Sequence, residues 1–78
     1  MQQNRVKKQE VIDKLSDTIS EKKAGEVINE ASDKIDVHGQ EYDADVAISI
    51  LEAVKELDDV DTLTSIAANT AITQLRSV

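Results

Sequence analysis

The residue types that could do chemistry gather in one stretch, DVHGQEYDAD at residues 36–45, which holds the only His, the only Tyr, one of two Gly and four carboxylates. Oxygen ligands at that density raise calcium. An EF-hand loop needs acids at alternating positions, Gly at the sixth and a bidentate Glu at the twelfth. With Gly39 as the sixth residue, the first ligand would be Lys34 and the twelfth Asp45. A cation in the first position excludes the motif. The second acidic run, DDVD at residues 58–61, has no following Gly and no distal Glu. His38, as a general base or transition-metal ligand, would need partners, and the chain has no second His and no Cys. It reads as a solvated loop residue near acids. Tyr42 reads as a ring covering the end of a bundle with its hydroxyl in water. Nothing supplies a nucleophilic triad, a phosphate-cradling Gly loop or a two-carboxylate hydrolase pocket. The chain is therefore read as not an enzyme, with no catalytic residue, no cofactor and no metal.

That stretch must then be a connector, and its neighbours say between what. Pro is absent, Gly occurs only at positions 25 and 39, and good helix formers fill the intervals. Val11, Ile12, Leu15 and Ile19 recur at the spacing of one helical face, with Val6 falling on the other side. Ala24, Val27, Ile28, Ala31 and Ile35 form a second stripe. At about 100° per residue the two stripes would face opposite sides of one straight helix, so a break is required near residues 17–20. Thr18 and Ser20 can each cap there, and Thr18 with Glu21 has the capping-box spacing. Gly39 tolerates positive φ and ends the second helix. Asp43 or Asp45 caps the third, which carries Val46, Ala47, Ile50, Ala53, Val54 and Leu57 inward. The acids of LDDVDT suit the start of a fourth helix better than the end of a third. The fold class is all-α: a small bundle of four short helices in one domain, residues 1–78, with helices over about 4–17, 20–35, 44–57 and 61–76. Two helical hairpins are joined by a connector at residues 36–44.

Seventy-eight residues with 21 Val, Ile and Leu, eight Ala, no Phe and no Trp make a thin core. Without Cys, disulfides cannot reinforce it, so association is expected and a homodimer leads. The fourth helix supplies the reason for that choice. Leu63, Ile66, Ala67, Ala71, Ile72 and Leu75 surround it, and between Asp61 and Arg76 it has no charge. These six residues are the expected protein interface, together with part of the third helix. No run approaches the about 20 apolar residues of a membrane span and none resembles a signal peptide, so no membrane contact and a cytoplasmic location are expected.

The net charge of −7 opposes direct nucleic-acid binding. It is unevenly placed: nine acids lie between Asp36 and Asp61 against the single Lys55. Residues 8–35, KQEVIDKLSDTISEKKAGEVINEASDKI, resemble the N-terminal helical hairpin of the HU and IHF nucleoid proteins. The resemblance implies a hairpin that packs a dimer. Beyond Ile35 the family's strands and basic arm have no counterpart, so no DNA-binding residue carries over. Glu10 with Lys14 and Glu30 with Lys34 have the favourable i, i+4 order of helix-surface ion pairs.

Two functions follow. The first is a helical protein-interaction module, an adaptor, regulator or assembly subunit working through the apolar face of helices 3 and 4. The second is an acidic decoy that occupies a basic, nucleic-acid-binding surface on a target, using Asp36, Glu41, Asp43, Asp45, Asp58, Asp59 and Asp61. Capping and solubility also account for those seven acids.

Overall fold

The computed structural model describes residues 5–76. Four helices form the bundle: α1 (Lys8–Ser16), α2 (Glu21–Lys34), α3 (Ala44–Lys55) and α4 (Thr62–Arg76). Two short strands, β1 (Arg5–Lys7) and β2 (Glu41–Asp43), precede α1 and α3. The all-α bundle of four helices is present, with a small two-stranded sheet added to it. The expected start of the first helix at residue 4 lies outside the described residues, as do 1–3 and 77–78 of the expected domain. Residues 5–7 are strand, not helix.

The sheet answers what the connector is for. β1 and β2 pair antiparallel, with Arg5 opposite Asp43, Val6 opposite Tyr42 and Lys7 opposite Glu41. Alternation along each strand sends only the central residue inward. Val6 and Tyr42 are accordingly both buried. Arg5 crosses the ribbon to Asp43 at 3.2 Å and Glu41 at 3.6 Å. Lys8 extends the ladder by donating its N–H to the Gln40 carbonyl at 2.7 Å. The Tyr42 hydroxyl donates to the Gly39 carbonyl at 3.2 Å, so it is held by the backbone and not turned to water.

The structure chooses between the two caps offered for α2 and departs from the sequence reading at two other helix ends. Ser20, and not Thr18, caps α2, its hydroxyl accepting from the Lys23 N–H at 3.1 Å. Asp36, and not Gly39, terminates it. Asp36 adopts φ 57°, its N–H reaches the Asp33 carbonyl at 3.2 Å, and the Val37 N–H reaches the Ser32 carbonyl at 2.9 Å. Those two bonds are a complete Schellman motif, with Asp where Gly is usual. Gly39 uses its own φ of 121° to turn the chain into β2. At α3, Asp43 occupies the N-cap position but makes no capping bond, because its carboxylate is turned to Arg5. Neither expected i, i+4 ion pair closes within 4 Å; Lys34 donates instead to the Glu56 carbonyl at 3.3 Å.

The helices pack in a ring, α1 on α2, α2 on α3, α3 on α4 and α4 back on α1. Leu15, Ile28, Ile50, Leu51, Val11 and Val54 lie fully enclosed at its centre. The order strand–helix–helix therefore occurs twice, and the buried positions correspond. Val6, Val11 and Leu15 match Tyr42, Ala47 and Leu51. One helical turn further out of step, Ala24, Val27, Ile28, Ala31 and Ser32 match Thr64, Ala67, Ala68, Ala71 and Ile72, and all ten are buried. Most of the added turn belongs to α3, which has 12 residues against 9 in α1, and the link that follows it is longer as well, residues 56–61 against 17–20. Two similar halves thus complete one core, with α2 against α3 and α1 against α4 as the seams between them.

Candidate protein-docking face

The α4 helix begins at Asp61, whose carboxylate accepts from the Thr64 N–H at 2.8 Å while its carbonyl accepts from Ser65 N–H at 3.0 Å. The Thr64 hydroxyl and then its N–H hold Asp61 below the ordinary aspartate range, with Lys23 adding to them from 3.6 Å. That buried hydroxyl falls short of good hydrogen-bond geometry to any described partner. Its influence on Asp61 is one of proximity, not of a formed bond. Lys23 lies in the first turn of α2, so the same contact ties the starts of α2 and α4 together.

From this start, the helix turns its small residues inward. Ala67, Ala68 and Ala71 are buried with Thr64, Ile72 and Leu75. Alanines let the α4 backbone come close to its neighbours, and the larger Ile72 and Leu75 fill the space that remains. Of the six residues expected at an interface, Ala67, Ala71, Ile72 and Leu75 are thus used in the chain's own core. Leu63 and Ile66 are not: they are 57% and 50% exposed, the large hydrophobic side chains left in solvent among the described residues.

Leu63, Ile66, Thr70 and Gln74 follow i, i+3, i+7 and i+11, so they share one face of α4. The matching face of α2 provides an internal comparison. There the corresponding residues are Lys23, Glu26, Glu30 and Lys34, every one charged. Two helices in equivalent places, each with its opposite side buried, thus present a charged face in one half, whose Lys23 and Lys34 reach Asp61 and the Glu56 carbonyl, and an uncharged face with two aliphatic side chains in the other. Core packing cannot account for that difference, because these side chains point away from the core.

At Gln74 the uncharged face borders α1. An open trough of about 360 Å³ lies between the two helices, lined by Gln74 from α4 and by Glu10, Asp13, Lys14 and Asp17 from α1 and its C-cap. The Asp13 carboxylate accepts from the Gln9 amide at 3.0 Å and Glu10 accepts from the Lys7 N–H at 3.3 Å. Among the described residues, none of the three acids has a cation within 4 Å. Glu10, Asp13 and Asp17 carry no site signal in the sequence alone. Their i, i+3, i+7 spacing puts them on one helical face, but its meaning depends on which helix lies alongside.

The seven acids considered as a decoy surface do not form one patch with one environment. Glu41 and Asp43 pair with Arg5, Asp61 caps α4 and meets Lys23, and Asp36 lies 3.2 Å from His38. Asp45 sits in the first turn of α3, where its charge suits the helix dipole. Asp58 and Asp59 are exposed between α3 and α4. His38 also lies 3.9 Å from Asp33. Among the described residues, no group of three or more His, Cys, Asp or Glu side chains is arranged to hold a metal ion. No helix among them is long and apolar enough to cross a membrane.

Fold and face together define a small helical bundle with one uncharged, partly aliphatic outer surface. No protein family, curated protein or solved structure matches the chain.

Proposed function

We propose that this protein is a non-enzymatic helical interaction module, acting in the cytoplasm, that docks another protein on the outer face of α4. The observation that carries the reading is the contrast between Leu63, Ile66, Thr70 and Gln74 and their charged counterparts on α2. A soluble surface has no need of a half-exposed Leu beside a half-exposed Ile. A docking surface does, since an aliphatic anchor that leaves water supplies affinity that a solvated ion pair does not.

A homodimer through this face is the less favoured occupant. A stable interface buries about 800 Å² on each partner. Two half-exposed side chains fall far short of that, and a second copy would bring the same acids of α1 toward the first. The decoy reading draws less support, because four of its seven acids are engaged within the chain.

The test is to replace Leu63 and Ile66 together with Asp in the cell that makes the protein, with Glu26→Gln as a control on the matching face of α2. The double variant retains the helical circular dichroism and melting temperature of the parent, since both sites are in solvent. It loses the protein that co-purifies with the parent, whereas the control keeps it. Equal recovery of that protein with the double variant would sink the reading.

A further inference from the structure

We infer that the occupant of the α4 face is a basic amphipathic helix, whose apolar seam covers Leu63 and Ile66 while its Lys or Arg side chains reach into the trough toward Glu10, Asp13 and Asp17. The inference rests on the interaction-module reading and names its partner class. The docking strip and the acids lie on adjacent helices, because Gln74 belongs to both the α4 face and the wall of the trough. The aliphatic pair lies toward the start of the strip and the acidic trough adjoins its far end at Gln74, which is complementary to a helix whose apolar seam covers the first while its basic side chains reach the second. From Leu63 to Gln74 the strip rises about 16 Å, the length of about three helical turns. A helix also suits the shape, since side-chain ridges of one helix seat in the groove beside another.

Charge decides between this occupant and a second copy of the chain. The α4 strip of a second copy has no cation between Asp61 and Arg76 to set against the acids, and it would place another acidic wall beside the first. Among the described residues, Lys14 is the one cation lining the trough. Against three carboxylates it leaves the wall with a net negative charge.

The probe is a synthetic helical peptide of about four turns with a Leu seam and Lys along one flank. Its counterpart carries Glu in place of every Lys. Binding to the full chain is followed by chemical-shift titration at low and high salt. The Lys peptide is expected to shift resonances along α1 and α4, and to weaken as salt rises. Leu63→Ser with Ile66→Ser should lower its affinity by about tenfold or more. Glu10→Gln with Asp13→Asn and Asp17→Asn should lower it by a similar factor and flatten the salt dependence. Asp45→Asn with Asp58→Asn and Asp59→Asn should leave it unchanged.

Two results separate this inference from the reading beneath it. If the serine variants abolish binding of the Lys and Glu peptides alike while the α1 variants change nothing, the docking face stands and the basic partner is wrong. If sedimentation shows the parent self-associating through Leu63 and Ile66 to the exclusion of peptide, a second copy is the occupant and the inference fails. Binding that ignores Leu63 and Ile66, or no binding of the Lys peptide at all, overturns the inference, and insensitivity to those two residues counts against the docking face as well.

Discussion

Asp36 carries a conformational cost that the sequence around it conceals. An L-residue at φ 57° forgoes about 1 kcal/mol or more relative to Gly, with Asp and Asn penalised least. The structure holds it there because the Val37 N–H must reach Ser32, and because Val37 then packs on the core. A carboxylate at a helix C-terminus is electrostatically unfavourable as well. Comparing Asp36→Gly with Asp36→Ala removes the carboxylate from both and leaves only the backbone difference. The Gly variant should be the more stable of the two by about 1 kcal/mol in denaturant melts. Equal stability would mean that the left-handed cap is not formed in solution. Gly39, which the sequence offers as the obvious terminator, is engaged three residues later in a different turn. Ser32 shows a second residue-scale compromise. Its hydroxyl is buried without a described partner at the position that the other half fills with Ile72.

At the scale of elements, the start of α4 leans on Asp61, since Thr62, Thr64 and Ser65 beside it are modest helix formers and the alanines come only later. Because the folded pKa of Asp61 is depressed, its contribution is fully present above the unfolded value and disappears as pH falls through the folded one. The window therefore lies in acid, at and below the ordinary aspartate pKa of about 3.9. Asp61→Asn keeps an oxygen for the Thr64 N–H but loses the charge, so it should lower the melting temperature at neutral pH. It should also reduce the parent's acid-induced loss of stability. A melting temperature for Asp61→Asn that falls in parallel with the parent throughout the acid range would show that this carboxylate is not the titrating cap.

The same scale shows what was legible. The four helices could be read because a 3.6-residue repeat is local, and Val11, Ile12 and Leu15, or Val27, Ile28 and Ala31, declare a face without reference to anything distant. The strands could not. RVK and EYD contain one inward residue each, too few for an alternation, and each is strand only because the other lies opposite. The orientation of α4 was hidden for another reason. A helix apolar on most sides does not state which side is core, and here the small residues went in while Leu63 and Ile66 stayed out.

At the scale of the whole molecule, the thin core suggested by composition is completed within the chain. The first half brings β1, α1 and α2; the second brings β2, α3 and α4; each supplies what the other lacks. The seams are the β1–β2 ribbon, α2 on α3 and α1 on α4. Val6 has Tyr42 as its cross-strand neighbour, and the enclosed Leu15 and Ile28 share one core with Ile50 and Leu51. For folding, the apolar face of each half meets the other half of the same chain. This makes a specific demand on the chain when it is cut. The peptide bond between His38 and Gly39 lies in the exposed turn between the halves, so separating residues 1–38 from 39–78 removes connectivity without removing a core contact. Alone, each half exposes the apolar face of a single hairpin and should show little helix and no cooperative melt. Mixed in equal amounts, they should regain the helical signal of the intact chain, with a melting temperature that rises with concentration as for any bimolecular fold. Additive spectra on mixing, or either half folding cooperatively by itself, would show that the two units do not depend on each other as the burial pattern requires.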